Sequence, residues 1–281
     1  MDTVIGLGQA GCNIADKFAK HSQYKIYKID CQLEGFRQDG VYKMPWQDSS
    51  ERYEKKCPDM NKFFEKVQGD VLFIIGGSGN ISGASLAILE HLKGCNISIL
   101  YIRPELNSIG IMKVRQEWAI FNILQEYARS GVFERIYLVD NSLIEEYLGD
   151  VPVIGYYDKL NDVIVSSFHM VNIYNHNDSV NDTFSEPLKG RRISTIGIYD
   201  QNNNENKLFY SLDNVGEMRY YYAINKEKLE TDGDILKNIR EQTKNEIPTS
   251  YGIFATNYEQ DYVYSIAYSS EIQQQKNEKS T

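Results

Sequence analysis

Residues 4–13 read VIGLGQAGCN, an apolar run that enters a glycine turn and leaves it as a helix. Gly6, Gly8 and Gly11 satisfy GxGxxG, a spacing that lets backbone approach a phosphate and rests it on a helix N-terminus. That motif alone also fits a dinucleotide enzyme, and Asp30, 19 residues after Gly11, stands near the place of a ribose-binding acid. Residues 76–83, GGSGNISG, repeat the layout after a second apolar run, DVLFIIGG at 70–77. A dinucleotide needs one cradle. A triphosphate uses two, because its charges require N–H donors from more than one direction.

Outward from these turns, strand and helix patterns alternate over the first 150 residues. DTVIGL, KIYKID, DVLFIIGG, NISILYIRP and ERIYLVDN read as strands. The helical stretches are CNIADKFAKH, NKFFEKVQ, ISGASLAILEHLKG with Gly94 as its C-cap, and 110–130 with Ile111, Val114, Trp118, Phe121 and Leu124 on one stripe. Strands alternating with helices predict a parallel sheet covered on both faces, with ligands at the carboxyl ends of its strands. YYDKLNDVIVSSFHMVNIYN reads as a long buried helix through Leu160, Val163, Ile164, Phe168 and Val171. Beyond 190, RISTIGIYD, KLFYSLD, EMRYYYAI, YGIFAT and DYVYSIAY read as strands around one helix, GDILKNIREQ. The predicted architecture is α/β: a Rossmann-like parallel-sheet domain at 1–155, a long central helix at 156–176, and a smaller α+β domain at 177–268. A polar tail at 269–281 is expected to be disordered.

The 281 residues carry 42% hydrophobic and 25% charged side chains, as soluble globular proteins do. A net charge of −9 argues against nucleic acid or anionic lipid as a partner of the whole surface. No apolar run reaches the roughly 20 residues of a membrane span, and the first residues, MDTVIG, lack an export signal. Cys12, Cys31, Cys57 and Cys95 have no metal-ligand spacing and fit a reducing cytoplasm. Cys12 lies in the first glycine turn, where packing near a ligand competes with activation of its thiol by the helix N-terminus.

Three further pieces carry chemistry. VDN at 139–141 ends a strand, and the Asn141 amide can both donate and accept at a base edge or cap the next helix. Tyr157 and Asn161, four apart, share a helical face: one ring to stack, one amide to read, unless Tyr157 simply packs in the core. NHNDSVNDTFSEP, after the long helix, is an acidic loop whose carboxylates suit water orientation or plain solvation.

In this order, the two glycine turns, VDN, YDKLN and the acidic loop resemble the tubulin/FtsZ family of GTP-driven filament proteins, and most the compact bacteriophage and plasmid tubulin-like proteins. The resemblance implies a GTP-binding cytoskeletal protein that polymerises head to tail, with GTP or GDP and Mg²⁺ as cofactors. It implies GTPase activity completed by the acidic loop of the neighbouring subunit. The implied partners are further copies of the chain and an adaptor reached through the C-terminal tail. Gly8, Gln9, Ala10, Gly11, Cys12 and Asn13 match the first phosphate stretch; Gly77, Ser78, Gly79, Asn80, Ile81 and Ser82 match the second. Asn141, Tyr157 and Asn161 match the base-binding positions. NDTFSE at 181–186 lies on the family's NxDxxE pattern, with Glu186 as the last acid and Asp182 and Asp178 as the other candidates, because Thr183 occupies the first acid's place. The chain departs from the family where Gly79 replaces a threonine and Asn80 a glycine, and residues 47–58 lack the glycines of the γ-phosphate-sensing loop. Two other readings stand beside this one: a tubulin-like protein with little hydrolysis, and an NAD(P)-dependent oxidoreductase.

Overall fold

A computed structural model of the chain describes residues 1–33, 39–106, 109–201, 203–244 and 246–274. The N-terminal half begins with β1 (Thr3–Leu7), α1 (Gly8–Phe18), β2 (Lys25–Asp30), β3 (Val41–Lys43) and α2 (Ser50–Lys55). It continues through β4 (Asp70–Gly76), a 3-10 turn (Asn80–Ala84) and α3 (Ser85–Glu90). Then come β5 (Asn96–Arg103), α4 (Ile111–Arg129), β6 (Arg135–Asp140) and α5 (Asn141–Leu148). The long α6 (Tyr156–Tyr174) leads to β7 (Asn181–Asp182), β8 (Ile193–Asp200), β9 (Glu205–Leu208) and β10 (Glu217–Asn225). Last are α7 (Lys226–Thr231), α8 (Ile235–Gln242), β11 (Thr249–Thr256) and β12 (Tyr262–Ser269).

The expected α/β class forms. Strands β3, β2, β1, β4, β5 and β6 are parallel neighbours in that order. Their carboxyl ends therefore share one edge, and the connections after β1, β3, β4, β5 and β6 all leave from it. The sheet continues past β6: Ile136 pairs with Ile193 and Tyr137 with Ser194, so β8 is parallel to β6. β12, β10, β11 and β7 extend the sheet from there, with β9 on β8. Alternation along β4 fills a core on each face. Phe73 and Ile75 join Ile5, Ile88, Tyr101 and Phe121 on one side. Leu72 and Ile74 join Ile14, Phe18, Leu160, Ile164 and Phe168 on the other. The predicted stripe of α6 is thus buried, and its far end meets Tyr221, Phe254 and Tyr264 of the C-terminal strands.

Several local expectations give way. Residues 61–68 form turns instead of a helix: Met60, Phe64 and Val67 are buried at helical spacing, but only single turns close, Phe64 N to Met60 O and Val67 N to Phe64 O. The helix after the second glycine turn starts as a 3-10 turn and ends at Glu90 with His91, not Gly94, as its C-cap. On α4, Ile111 and Trp118 are exposed while the polar Glu117 and Gln125 are buried. Each of the two has a partner that pulls it inward: Tyr101 Oη donates to Glu117 at 2.9 Å, and Gln125 pairs with the backbone of Gln273 in both directions. The tail expected to be disordered from 269 is docked through Ile272 and Gln273; residues 275–281 lie outside the described residues.

The corner between α1 and β2 is fixed to α6 by aromatic and polar contacts. His21 stacks on the buried His169 with ring centroids 3.6 Å apart, and His169 Nδ1 lies 3.0 Å from Tyr24 Oη and 3.2 Å from Gln23 Nε2. Burial, then the neighbouring His21, depress the His169 pKa from 6.5 to about 4. Between those values the unfolded chain binds a proton that the folded chain does not. Stability from this contact is therefore complete above pH 6.5 and is lost as the pH falls toward 4. The melting temperature should drop across that window, and His169→Gln should flatten the drop; parallel curves for the two proteins would remove His169 as its source.

Candidate functional site

The first glycine turn is a contact between backbones. A Cβ on Gly6 would lie 2.3 Å from the Gly11 carbonyl oxygen, and one on Gly11 would lie 2.6 Å from the Ile74 carbonyl oxygen. Gly8 has φ +71°, a conformation that favours glycine. The start of α1 is thereby pressed onto β1 and β4 at the carboxyl edge. No side chain caps it and no acid sits in its first turn, so its leading N–H groups and its positive dipole end are left for an anion. Gln9, Ala10 and Asn13 are exposed there. Cys12 is buried, donates to the Gly6 carbonyl at 3.4 Å, and has its pKa pushed up to about 12 by burial. Packing thus prevails over thiol activation. Asp30, the acid of the dinucleotide reading, accepts the Cys31 N–H at 2.7 Å.

The second turn touches the first: a Cβ on Gly8 would lie 2.8 Å from Ile81 Cγ2. Gly77 sits directly on Tyr101, where a Cβ would come within 2.0 Å of the hydroxyl. Burial, then the Glu117 carboxylate, hold that phenol far above its ordinary pKa, so it stays a proton donor. Gly79 is exposed and Ser78 and Asn80 are partly so, whereas Ile81 and Ser82 point into the protein. The Ser82 hydroxyl donates to the Gly79 carbonyl within the turn.

Asn141 opens α5, but the residue before it does the capping: Asp140 Oδ1 accepts the Ser142 N–H at 3.0 Å. Asn141 Oδ1 is buried and has no hydrogen-bond partner among the described residues. A buried amide oxygen left so is costly unless something else meets it. Asn161 is buried on α6, and Tyr157, one turn before it, is 65% exposed, so Tyr157 is no core residue. Lys17, near the C-terminal end of α1, reaches Asp162 at 2.7 Å and Asp158 at 3.4 Å, tying this end of α6 to α1. Arg103, which the sequence reading did not single out, closes β5 with its guanidinium over Phe121 and Tyr210 and 3.9 Å from Asp140.

The acidic loop lies elsewhere. It follows the other end of α6, where Asn172 Nδ2 donates to the Met1 carbonyl at the amino end of β1. Asn181 and Asp182 pair with Ile253 and Gly252, and Thr183 exchanges two bonds with the Tyr251 backbone. Asp182 is occupied by Ser179 and by the Phe184 N–H. Asp178 and Glu186 are exposed. The structure therefore gathers both glycine turns, Asn141, Tyr157 and Asn161 at one end of α6 and sets Asp178, Asp182 and Glu186 at the other.

No family model matches the chain, and no curated protein sequence matches it. Solved structures do. A protofilament of TubZ from Bacillus thuringiensis serovar israelensis, in its GTPγS form, superposes with TM-score 0.73 at 16% identity over 95% of this chain and 87% of that one. The GDP-bound monomer of CetZ1 from Haloferax volcanii gives 0.69 at 17% over 96% and 94%. The empty FtsZ dimer from M. jannaschii gives 0.67 at 14% over 95% and 87%. The chain has the tubulin/FtsZ-type fold.

The glycines differ in what they tolerate. Gly77→Ala should destabilise the protein by about 1–3 kcal/mol, because the buried Tyr101 cannot retreat. Gly79→Ala, whose Cβ would meet nothing closer than 3.7 Å, should cost less than about 1 kcal/mol. Urea unfolding of the two variants measures the difference, and equal losses would contradict this packing.

Proposed function

We propose that the chain is a GTP-binding cytoskeletal protein whose copies join head to tail, hydrolysing GTP at the junction. The observation that carries this reading is the separation along α6. Its 19 residues span about 27 Å at roughly 1.5 Å each, too far for the acidic loop to serve the site of its own chain. A second copy stacked in the same orientation brings its loop to that site. Such a contact is heterologous and builds an open filament. Large apolar side chains are exposed at both ends in support. Trp46, Ile111, Met112, Val153 and Ile154 surround the carboxyl edge, and Val180 and Leu188 flank the acidic loop.

Within the site, the free N–H groups at the head of α1 take the proximal phosphates and the second turn takes the distal one. Tyr157 stacks on the base, while Asn161 and the unpartnered Asn141 oxygen read its edge; a guanine N–H is the donor that oxygen lacks. Among the described residues no group of three or more His, Cys, Asp or Glu is placed to hold a metal ion. Mg²⁺, bound chiefly by phosphate and water, needs only one or two protein oxygens, and the exposed amides of Gln9 and Asn13 fit that role. It would supply charge neutralisation on the phosphates. Glu186 or Asp178 of the adjoining copy orients a water in line with the terminal phosphate; the water oxygen bonds to phosphorus, the bond to the diphosphate breaks, and GDP and phosphate leave. Asp182 is the weaker candidate, since its oxygens already accept two bonds. An isolated subunit lacks that carboxylate, so hydrolysis follows assembly.

Among the described residues no helix is long and apolar enough to cross a membrane. The four cysteines are free, which suits the cytoplasmic setting of this proposal.

Light scattering and phosphate release, followed together after GTP and Mg²⁺ are added, test the reading, with ATP and GDP as controls. A GTP-specific rise that decays as phosphate accumulates is expected; no rise and no GTP binding would end the proposal. A rise without phosphate would favour the filament with little hydrolysis. Asn141→Ala should weaken GTP binding about tenfold or more. Glu186→Ala should leave binding intact and slow phosphate release by about 10² or more. Unchanged release would move the role to Asp178.

A further inference from the structure

The second glycine turn carries bonds that neither strand pairing nor helix formation requires. Gln116 of α4 donates its amide Nε2 to the Gly79 carbonyl at 3.1 Å, and the Ser82 hydroxyl donates to the same oxygen, beside the 3.0 Å Ser82 N–H bond that belongs to the 3-10 turn itself. One peptide further on, Ser50 Oγ donates to the Asn80 carbonyl at 3.0 Å. Asn80 returns a bond, Nδ2 to the Asp48 carbonyl, also at 3.0 Å. Gly83 lies so close to Ser50 that a Cβ there would come within 2.3 Å of the Ser50 carbonyl oxygen. The turn is therefore gripped from two sides, by α4 and by the segment that leads into α2.

The direction of these bonds matters for charge. A trans peptide holds its C=O and the following N–H on opposite sides. Tying the Gly79 and Asn80 carbonyls back onto protein donors turns the N–H groups of Asn80 and Ile81 the other way. Those two N–H groups open the 3-10 turn, where they have no partner inside the turn itself. A concave run of N–H groups binds an anion; a carbonyl rotated into the same place would repel one. At position 80 a glycine would lack the amide that reaches Asp48.

We propose that Gln116 and Asn80 are positioning residues that pre-form the second phosphate cradle, each acting through the backbone of residues 79–81. This rests on the nucleotide reading above and names the group served, the terminal phosphate of a triphosphate. Lys17 of α1 holds Asp158 and Asp162, the neighbours of Tyr157 and Asn161, so the base end lies on the α1 side of the site. The second turn, which meets the first at Gly8 and Ile81, then serves the phosphates on the side away from the base, the terminal one among them. Because the turn is ordered in the free chain, little ordering is left for the ligand to drive.

The test uses the full chain without nucleotide, then with fluorescent GTP and GDP, for wild type, Gln116→Ala, Asn80→Gly and Ser50→Ala. Amide hydrogen exchange over residues 77–84 should accelerate about tenfold in the variants, the loss of roughly one net hydrogen bond, while the sheet core keeps its protection. GTP affinity should fall about tenfold, and GDP affinity by less than about threefold. Unchanged exchange would overturn the clip. Faster exchange with equal losses for GTP and GDP would overturn the positioning role and leave only a structural one. Wild-type protein that binds neither nucleotide would sink the nucleotide reading and the positioning role together. Normal wild-type binding with unaffected variants would sink the positioning role alone.

Discussion

The close approach of three backbone segments at Gly6, Gly11 and Ile74 governs the arrangement of the site. At 2.3 and 2.6 Å a Cβ has no place, so any side chain at either glycine would lift the head of α1 off the sheet. With α1 seated, Gly8 meets Ile81 and the two glycine turns share one edge. Lys17, near the other end of the same helix, holds Asp158 and Asp162 and so fixes the head of α6. The glycine turns and the head of α6 are thus positioned by one eleven-residue helix. Packing at these glycines leaves little tolerance, and the chemistry built on them inherits their position.

α6 and α4 then carry that position outward in different ways. α6 does so through apolar packing: Leu160, Ile164, Phe168 and Val171 run along the sheet until Tyr174 meets Phe254 of the C-terminal strands, ring centroids 4.5 Å apart. α4 does so through polar groups, of which Glu117 and Gln125 are buried and Gln116 is partly exposed. Gln116 and Glu117 stand at the second glycine turn, and Gln125, about two turns on, binds the backbone of Gln273. The first residues of the C-terminal tail are therefore held by the same helix that backs the second glycine turn. Buried polar pairs fix a single register where an apolar stripe would allow sliding, because each misplaced group would lose its partner.

The parts legible in the sequence were those set by local steric rules. Glycines mark where backbones touch, and the apolar runs of β4 and β5 mark strands covered on both faces, so the parallel sheet followed from 70–77 and 96–104. The stripe on α6 was legible for the same reason. The orientation of α4 was not, because its buried Glu117 and Gln125 depend on Tyr101 and Gln273, far away in sequence. Residues 61–68 show the reverse fault: helical spacing without continuous helical bonds. At the site, Asn141 was singled out as a base reader or a cap, and Asp140 takes the cap. Gln116 and Arg103 carried no such signal, since one donates to a backbone carbonyl and the other stacks on rings, and neither task leaves a motif.

The acidic loop shows how a departure from a motif can be structural. Thr183 stands where the family pattern has an acid, and both its N–H and its hydroxyl oxygen are used against Tyr251. That extends the pairing of β7 with β11 and anchors the loop on the sheet, leaving Glu186 three residues beyond the anchor and Asp178 three residues before β7. A carboxylate at 183 would have to choose between the sheet and a water molecule. Placing acids on the flanks separates two demands: the strand pair fixes where the loop is, and Asp178 and Glu186 on either side stay exposed.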